Sequence, residues 1–228
     1  MFLLLLSSPA LAVDPVLYAQ ARSEKHCANC DLSKAVFSFE DLAGANFEMS
    51  DLRNATLEGA NLAKANLKGA NLAGANLAKA NLSGADLTGA NLRGARLTEA
   101  NLSGAKLNKV DFSKANLKLA NLQRAQGKQI NFTQADLTLV QAERATLTDS
   151  DFRQAKLYWS KFDLAKLTGG RFEATVLEEV RLHGADLQNV RLNDAQMIAV
   201  GMHRTLFKGA VWSDGKDCKK GSVGFCQK

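Results

Sequence analysis

The chain is poor in residues that bend, break or react. Of 228 residues, two are proline, three are histidine and four are cysteine, and aromatics make up 7%. With proline so scarce and glycine spread through the repeats, no stretch reads as a linker. The three histidines, His26, His183 and His203, are scattered, and no spacing suggests a Ser/His/Asp or Cys/His set. Glycines such as Gly69 in Lys68-Gly69-Ala70 do not make a phosphate-binding loop. These absences argue against an enzyme, and no catalytic residue and no cofactor is predicted. Apolar runs are also short: the longest opens the chain at Met1-Phe2-Leu3-Leu4-Leu5-Leu6, too brief to cross a bilayer. Basic residues outnumber acidic ones, 29 to 23, for a formal net charge of +6. Basic and aromatic residues do not interleave as in modules that read RNA or DNA, so no nucleic acid is expected.

What the chain has is a period. Every fifth residue from Leu32 to Trp212 is Leu, Phe, Met or Trp, with two exceptions, Gly127 and Ala142. The residue two before each of these sites is nearly always small. The residue one before is often Asn or Asp, as in Ala-Asn-Leu-Ala-Lys-Ala-Asn-Leu-Lys-Gly from Ala60 to Gly69. Five fits neither the 3.6 of a helix nor the 2 of a strand. It demands a backbone that repeats a short straight edge and a corner, and such self-similarity marks a solenoid. An unbroken repeat also argues for one domain, because solenoids lengthen without a larger globular core.

The pattern resembles the pentapeptide-repeat family, whose consensus is A(D/N)LXX, over residues 30 to about 212. The resemblance implies an all-β fold, a right-handed quadrilateral β-helix with four pentapeptides per coil. About nine coils at roughly 4.8 Å each make a rod on the order of 43 Å long. Leu62, Leu82, Leu102, Phe112, Phe152 and Phe172 are then core-defining side chains that fill the axis. Ala is expected at the second, crowded inward position, and Asn or Asp at a corner, where its side chain bonds nearby backbone. Gly127 and Ala142 are expected to leave underfilled spots.

The ends depart from the repeat. Residues 1–12 close on Ala10-Leu11-Ala12, an A-x-A cleavage signature after an apolar run, so export is expected, to a periplasm, a thylakoid lumen or the medium. No basic residue precedes that run; the other reading is a buried first strand. Residues 13–29 read as a cap, helical after the start signal Asp14-Pro15, and 213–228 as a second cap. Solenoid ends need such covers. The cysteines form two local pairs, Cys27/Cys30 and Cys218/Cys226, one at each end of the repeat. On a rod about 40 Å long they cannot cross-pair, because a disulfide needs Cα atoms within about 7 Å. In an exported protein two local disulfides are the simplest reading. Free core thiols, a redox motif, and half a zinc site with His26 stay open as alternatives.

Residues twenty apart should stack, so the outward columns can be read. One column carries Leu119, Leu139 and Trp159 with Tyr158 beside it, an apolar ladder suited to a protein partner. A seam between two copies, giving a homodimer, is the second reading, and ordinary packing the third. Another column runs Gln123, Glu143, Asp163, His183, His203; Asp163, His183 and His203 are weak metal candidates beside a charge-neutralising ladder. Arg124, Arg144, Lys161, Arg181 and Arg204 give that same side a basic cast suited to an anionic surface. The sequence therefore reads as a non-enzymatic extracytoplasmic scaffold or protein-binding rod. Some relatives look like duplex DNA and bind DNA gyrase, which requires an acidic surface and a cytoplasmic address; the basic charge and export signal disfavour that mode here.

Overall fold

A computed structural model describes residues 14–227 of the protein. The proposed export segment, 1–12, lies outside the described residues. From His26 onward the chain pairs with itself in parallel at a fixed offset of twenty. Asp31 meets Asp51, Val36 meets Thr56, Asp41 meets Asn61 and Asn46 meets Asn66. Four such pairings follow one another in each twenty residues, which makes a parallel β-solenoid. Most pairings are single bridges. Four extend to short strands: β1 (Gln126–Lys128) pairs with β2 (Thr146–Thr148), and β3 (Val176–Glu178) with β4 (Gln196–Ile198).

One pentapeptide shows why these residues fold this way. The carbonyl of Leu62 accepts from the amide of Ala65 at 3.0 Å, closing a four-residue turn. Lys64, third in that turn, has φ 57°. Positive φ at the third turn residue is the pattern of a type II turn. The slot recurs every five residues from Lys34 to Gly209, and none of them is Val, Ile or Thr. A branched Cβ is the one kind of side chain that the left-handed region punishes most. The next level anchors the turn: Leu62 N–H donates to Asn81 O at 2.7 Å and Lys64 N–H to Ser83 O at 2.9 Å.

Asn and Asp do bond nearby backbone, but not at the corner itself. Asn101 stands on the straight edge, at the bridge, and its Oδ1 accepts from Ser103 N–H at 3.1 Å, so it steers the chain into the turn that follows. Its Nδ2 also donates to Asn81 Oδ1 one level below, at 3.3 Å. The same link joins Asn66 to Asn46 and Asn91 to Asn71.

Inside, the apolar residue of each pentapeptide and the small residue two before it are buried. Leu62, Leu82, Leu102, Phe112 and Phe152 have no exposed surface, and Phe172 has 2%. On one side the rings of Phe112, Phe132, Phe152 and Phe172 stack face to face with centroids 5.3, 4.8 and 4.6 Å apart. Gly127 corrects an expectation, because it leaves no gap. A Cβ there would lie 2.7 Å from Ile130 Cδ1 and 2.9 Å from the Leu107 carbonyl. Ile130 stands at a position that is usually Ala and takes up the missing leucine's space.

Both ends are covered. Helix α1 (Pro15–Ser23) is capped by Asp14, whose side chain accepts from Val16 N–H at 2.8 Å. Its Tyr18 stacks on Phe37 at 5.0 Å and donates to Val36 O. No helix among the described residues is long and apolar enough to cross a membrane. At the far end the chain reverses and pairs antiparallel, Leu206 with Val223 and Val211 with Asp217. Disulfides join Cys27 to Cys30 and Cys218 to Cys226, with Cα atoms 5.4 and 5.1 Å apart. Among the described residues no cysteine is free.

Candidate functional site

Leu119, Leu139 and Trp159 occupy the left-handed turn slot on three successive levels, with φ 62°, 60° and 54°. The slot faces outward, and the three are 46%, 43% and 46% exposed. Their amides are held by the next level: Leu139 N–H donates to Tyr158 O at 2.8 Å and Trp159 N–H to Glu178 O at 2.9 Å. Tyr158 is half-buried beside them, its ring 5.7 Å from that of Trp159. Glu99 and Glu179 flank the apolar stretch on the same column. A rigid backbone thus holds an apolar strip with an acidic residue at each end.

Other exposed apolar side chains behave differently. Phe39, Met49 and Leu164 each lie over a glycine one level on. A Cβ at Gly59 would come 2.5 Å from the Phe39 ring, one at Gly184 2.8 Å from Leu164 Cδ2, and one at Gly69 would strike the Met49 sulfur. These residues fold down onto glycine seats. Leu119 and Leu139 meet another bulky apolar residue one level on, and Trp159 meets Glu179, so none has a glycine seat to lie on.

The histidine column is real as a stack, and part of its acceptor capacity is used within it. The Arg181 guanidinium donates to Asp163 Oδ2. Asp163 Oδ1 accepts from His183 N–H at 3.1 Å, and His183 Nδ1 accepts from His203 N–H at 3.2 Å. Asp163 and His183 spend lone pairs inside the ladder, and the Arg181 guanidinium is paired to the Asp163 carboxylate. Among the described residues no group of three or more His, Cys, Asp or Glu is placed to hold one. The Asp163 hydrogen bond, partly offset by burial, raises the Arg181 guanidinium above its usual range. Around this ladder runs a shallow groove of about 520 Å³, with Arg144 and Arg204 on its walls. A separate polar hollow beside Arg93 and Ser113 falls on columns that no composition or spacing rule singles out.

The pentapeptide-repeat pattern matches residues 26–59, 55–94, 95–126, 128–169 and 155–194, in eight copies. The chain belongs to the pentapeptide repeat family. Its members form β-helical solenoids, as the pairing offset of twenty does here. Among solved structures the chain is similar to HetL of the cyanobacterium Nostoc sp. strain PCC 7120, a pentapeptide repeat protein involved in heterocyst differentiation regulation. Identity is 26%, over 89% of this chain and 97% of that one, with a TM-score of 0.42. A pentapeptide repeat protein from the Arabidopsis thaliana thylakoid lumen is 34% identical over 51% of this chain and 73% of its own, with a TM-score of 0.35. QnrB1, a plasmid-mediated fluoroquinolone resistance protein, is 19% identical over 75% and 87%, with a TM-score of 0.42. No curated protein matches the chain.

Proposed function

We propose that this protein is a non-enzymatic scaffold that works outside the cytoplasm and docks another protein through Leu119, Leu139, Tyr158 and Trp159. The single observation that carries the reading is the exposed apolar strip on three successive levels. Exposed contiguous apolar surface is uncommon on soluble proteins, and Trp and Tyr are favoured anchors. The domain plan follows: a cleaved signal over 1–12, an N-terminal cap over 13–29, a right-handed β-helix of about nine coils over 30–212, and a disulfide-closed cap over 213–228. The count of coils rests on the twenty-residue offset and the regular interstrand spacing. Export, to a periplasm, a lumen or the medium, is supported by Ala10-Leu11-Ala12 together with two disulfides, which persist in oxidising compartments. Arg124, Arg144 and Arg204 form no ion pair among the described residues and give one side a surface suited to anions. A gyrase-directed role sits poorly with a net charge of +6.

Photo-crosslinking tests the docking site. A crosslinking residue is placed at position 139, with position 109, one and a half twenty-residue coils away, as control. A heterologous adduct at 139 and none at 109 supports the reading. An adduct of two copies of the chain replaces the partner with a homodimer seam, and equal adducts at both positions overturn a localised site.

A further inference from the structure

Buried hydroxyls in this solenoid find backbone carbonyls. Ser50 donates to Cys27 O at 2.5 Å, Ser150 to Thr148 O at 3.3 Å and Ser160 to Leu157 O at 2.9 Å. Thr175 donates to Phe152 O at 2.7 Å, Thr205 to Leu182 O at 2.6 Å and Ser222 to Lys219 O at 2.9 Å. Ser113 is different. It is 4% exposed, yet its Oγ has no partner among the described residues. Its other polar groups are spent: its N–H donates to Asp111 Oδ1 at 2.8 Å, and its carbonyl accepts from Gly94 N–H at 2.9 Å. A buried hydroxyl left unpaired costs about 1–3 kcal/mol, so such a group calls for an explanation.

The surroundings of Ser113 supply one. It lines a hollow of about 310 Å³, at the lower limit of small-ligand sites. Arg93, Lys114 and Arg153 stand around the hollow, with Thr133 and Gln134 between them. Arg93 and Lys114 form no ion pair among the described residues; Arg153 is bound to Asp151 at 2.6 Å. No carboxylate lines the hollow. Neighbouring carboxylates are held outside it: Asp111 accepts from Ser113 N–H and from Asn131 Nδ2, Asp151 is held by Arg153 and Arg171, and Glu173, one level beyond Arg153, accepts from Arg171 through Oε1. The charged groups at the hollow are therefore cations, and beside them stand the unpaired hydroxyl and the amides of Gln134 and Gln154, which bond each other through one end, a set suited to a small, multiply charged oxygen anion. The backbone there is fixed by the parallel ladder and by the Phe112–Phe132–Phe152 stack inside it, so the donors are preorganised.

We infer that the hollow around Ser113 binds a small oxyanion of the phosphate or sulfate class, either free or as an ester. The guanidinium of Arg93 and the ammonium of Lys114 supply charge, and Ser113 Oγ, which has no partner among the described residues, donates a hydrogen bond. This site stands apart from the apolar strip and does not depend on its role.

Isothermal titration calorimetry of the full chain with inorganic phosphate in a chloride buffer tests the site, with folding of each variant checked by thermal midpoint. Saturable binding is expected. Arg93→Gln and Lys114→Gln should each weaken it about tenfold, the loss of one charge-assisted contact. Ser113→Ala should weaken it several-fold without lowering the thermal midpoint, because it removes a hydroxyl that has no partner among the described residues. Lys64→Gln, the same charge change two and a half twenty-residue coils from Lys114, should leave binding unchanged. Glycerol phosphate and sulfate separate the sources: tighter glycerol phosphate assigns an ester, equal affinities assign the free anion, and both uphold the site. Absence of saturable heat overturns the inference, as does an equal loss in Lys64→Gln, which would mean diffuse charge attraction.

Discussion

Gly127 stands where most pentapeptides carry Leu, and restoring that consensus should damage the protein. Ile130 Cδ1 lies 2.7 Å from the Cβ such a leucine would bring. Overpacking of this kind costs about 1–3 kcal/mol. Gly127→Leu is expected to lower the urea midpoint, and Ile130→Ala in the same chain to recover part of the loss. The two substitutions should therefore be strongly non-additive, because they share one space. Additive effects would show that Ile130 does not fill that gap. The positive-φ slot is the other residue-scale rule. Lys79→Val puts a branched Cβ at φ 59° and should destabilise by about 1–2 kcal/mol, whereas Lys79→Gly should not. Thermal midpoints of the two variants check this.

At the scale of the element, the phenylalanine stack and the two caps set local stability. Phe152 has Phe132 on one side and Phe172 on the other, at 4.8 and 4.6 Å. Phe152→Ala should cost about 3–5 kcal/mol by denaturant unfolding. Leu in its place should cost less, since leucines fill the same column at Leu72 and Leu92. Cys218–Cys226 closes the segment that returns antiparallel over the last level. Replacing both cysteines by serine should cost about 2–3 kcal/mol in the chain-entropy view of a short loop. The loss should appear first as faster amide exchange at Phe207, Gly209 and Trp212, whose N–H groups donate into that segment. Uniform exchange along the solenoid would refute a local role. Acid should also weaken the edges. Arg53, hydrogen-bonded to Asp51, holds that carboxyl below its usual value. Burial opposes ionisation of Asp86 and Asp151, but hydrogen bonds from Thr88 and Arg153 outweigh it and lower both. Folded values below the unfolded 3.8 mean that these groups stabilise the protein above that pH. The contribution is lost as pH falls through the lower folded values. Urea midpoints should be flat from about pH 7 to about pH 5 and fall below about pH 4.

At the scale of the whole molecule, periodicity explains why so much was legible. One five-residue rule names the inward Leu, the small companion and the outward column, so the stacking of Leu119, Leu139 and Trp159 follows from arithmetic on the chain. The rule fails where two residues compensate each other, as Gly127 and Ile130 do, because a column shows one position at a time. It also misplaced the Asn and Asp residues, which bond backbone as expected but from the straight edge. The histidine ladder shows a further limit. Spacing brings Asp163, His183 and His203 together, but the Arg181 guanidinium and two backbone amides that spend their acceptors are visible only in three dimensions. The hollow at Ser113 was beyond sequence for the same reason, since an unpaired hydroxyl is defined by what does not reach it.

The central claim is that the apolar strip is the working surface of this rod. Affinity capture from extract of the compartment that holds the protein tests it most directly. The bait is the chain, compared with a folded Leu139→Ser/Trp159→Ser variant by quantitative mass spectrometry. The account predicts a protein retained by the first bait and lost from the second. The same proteins retained equally by both baits would contradict it.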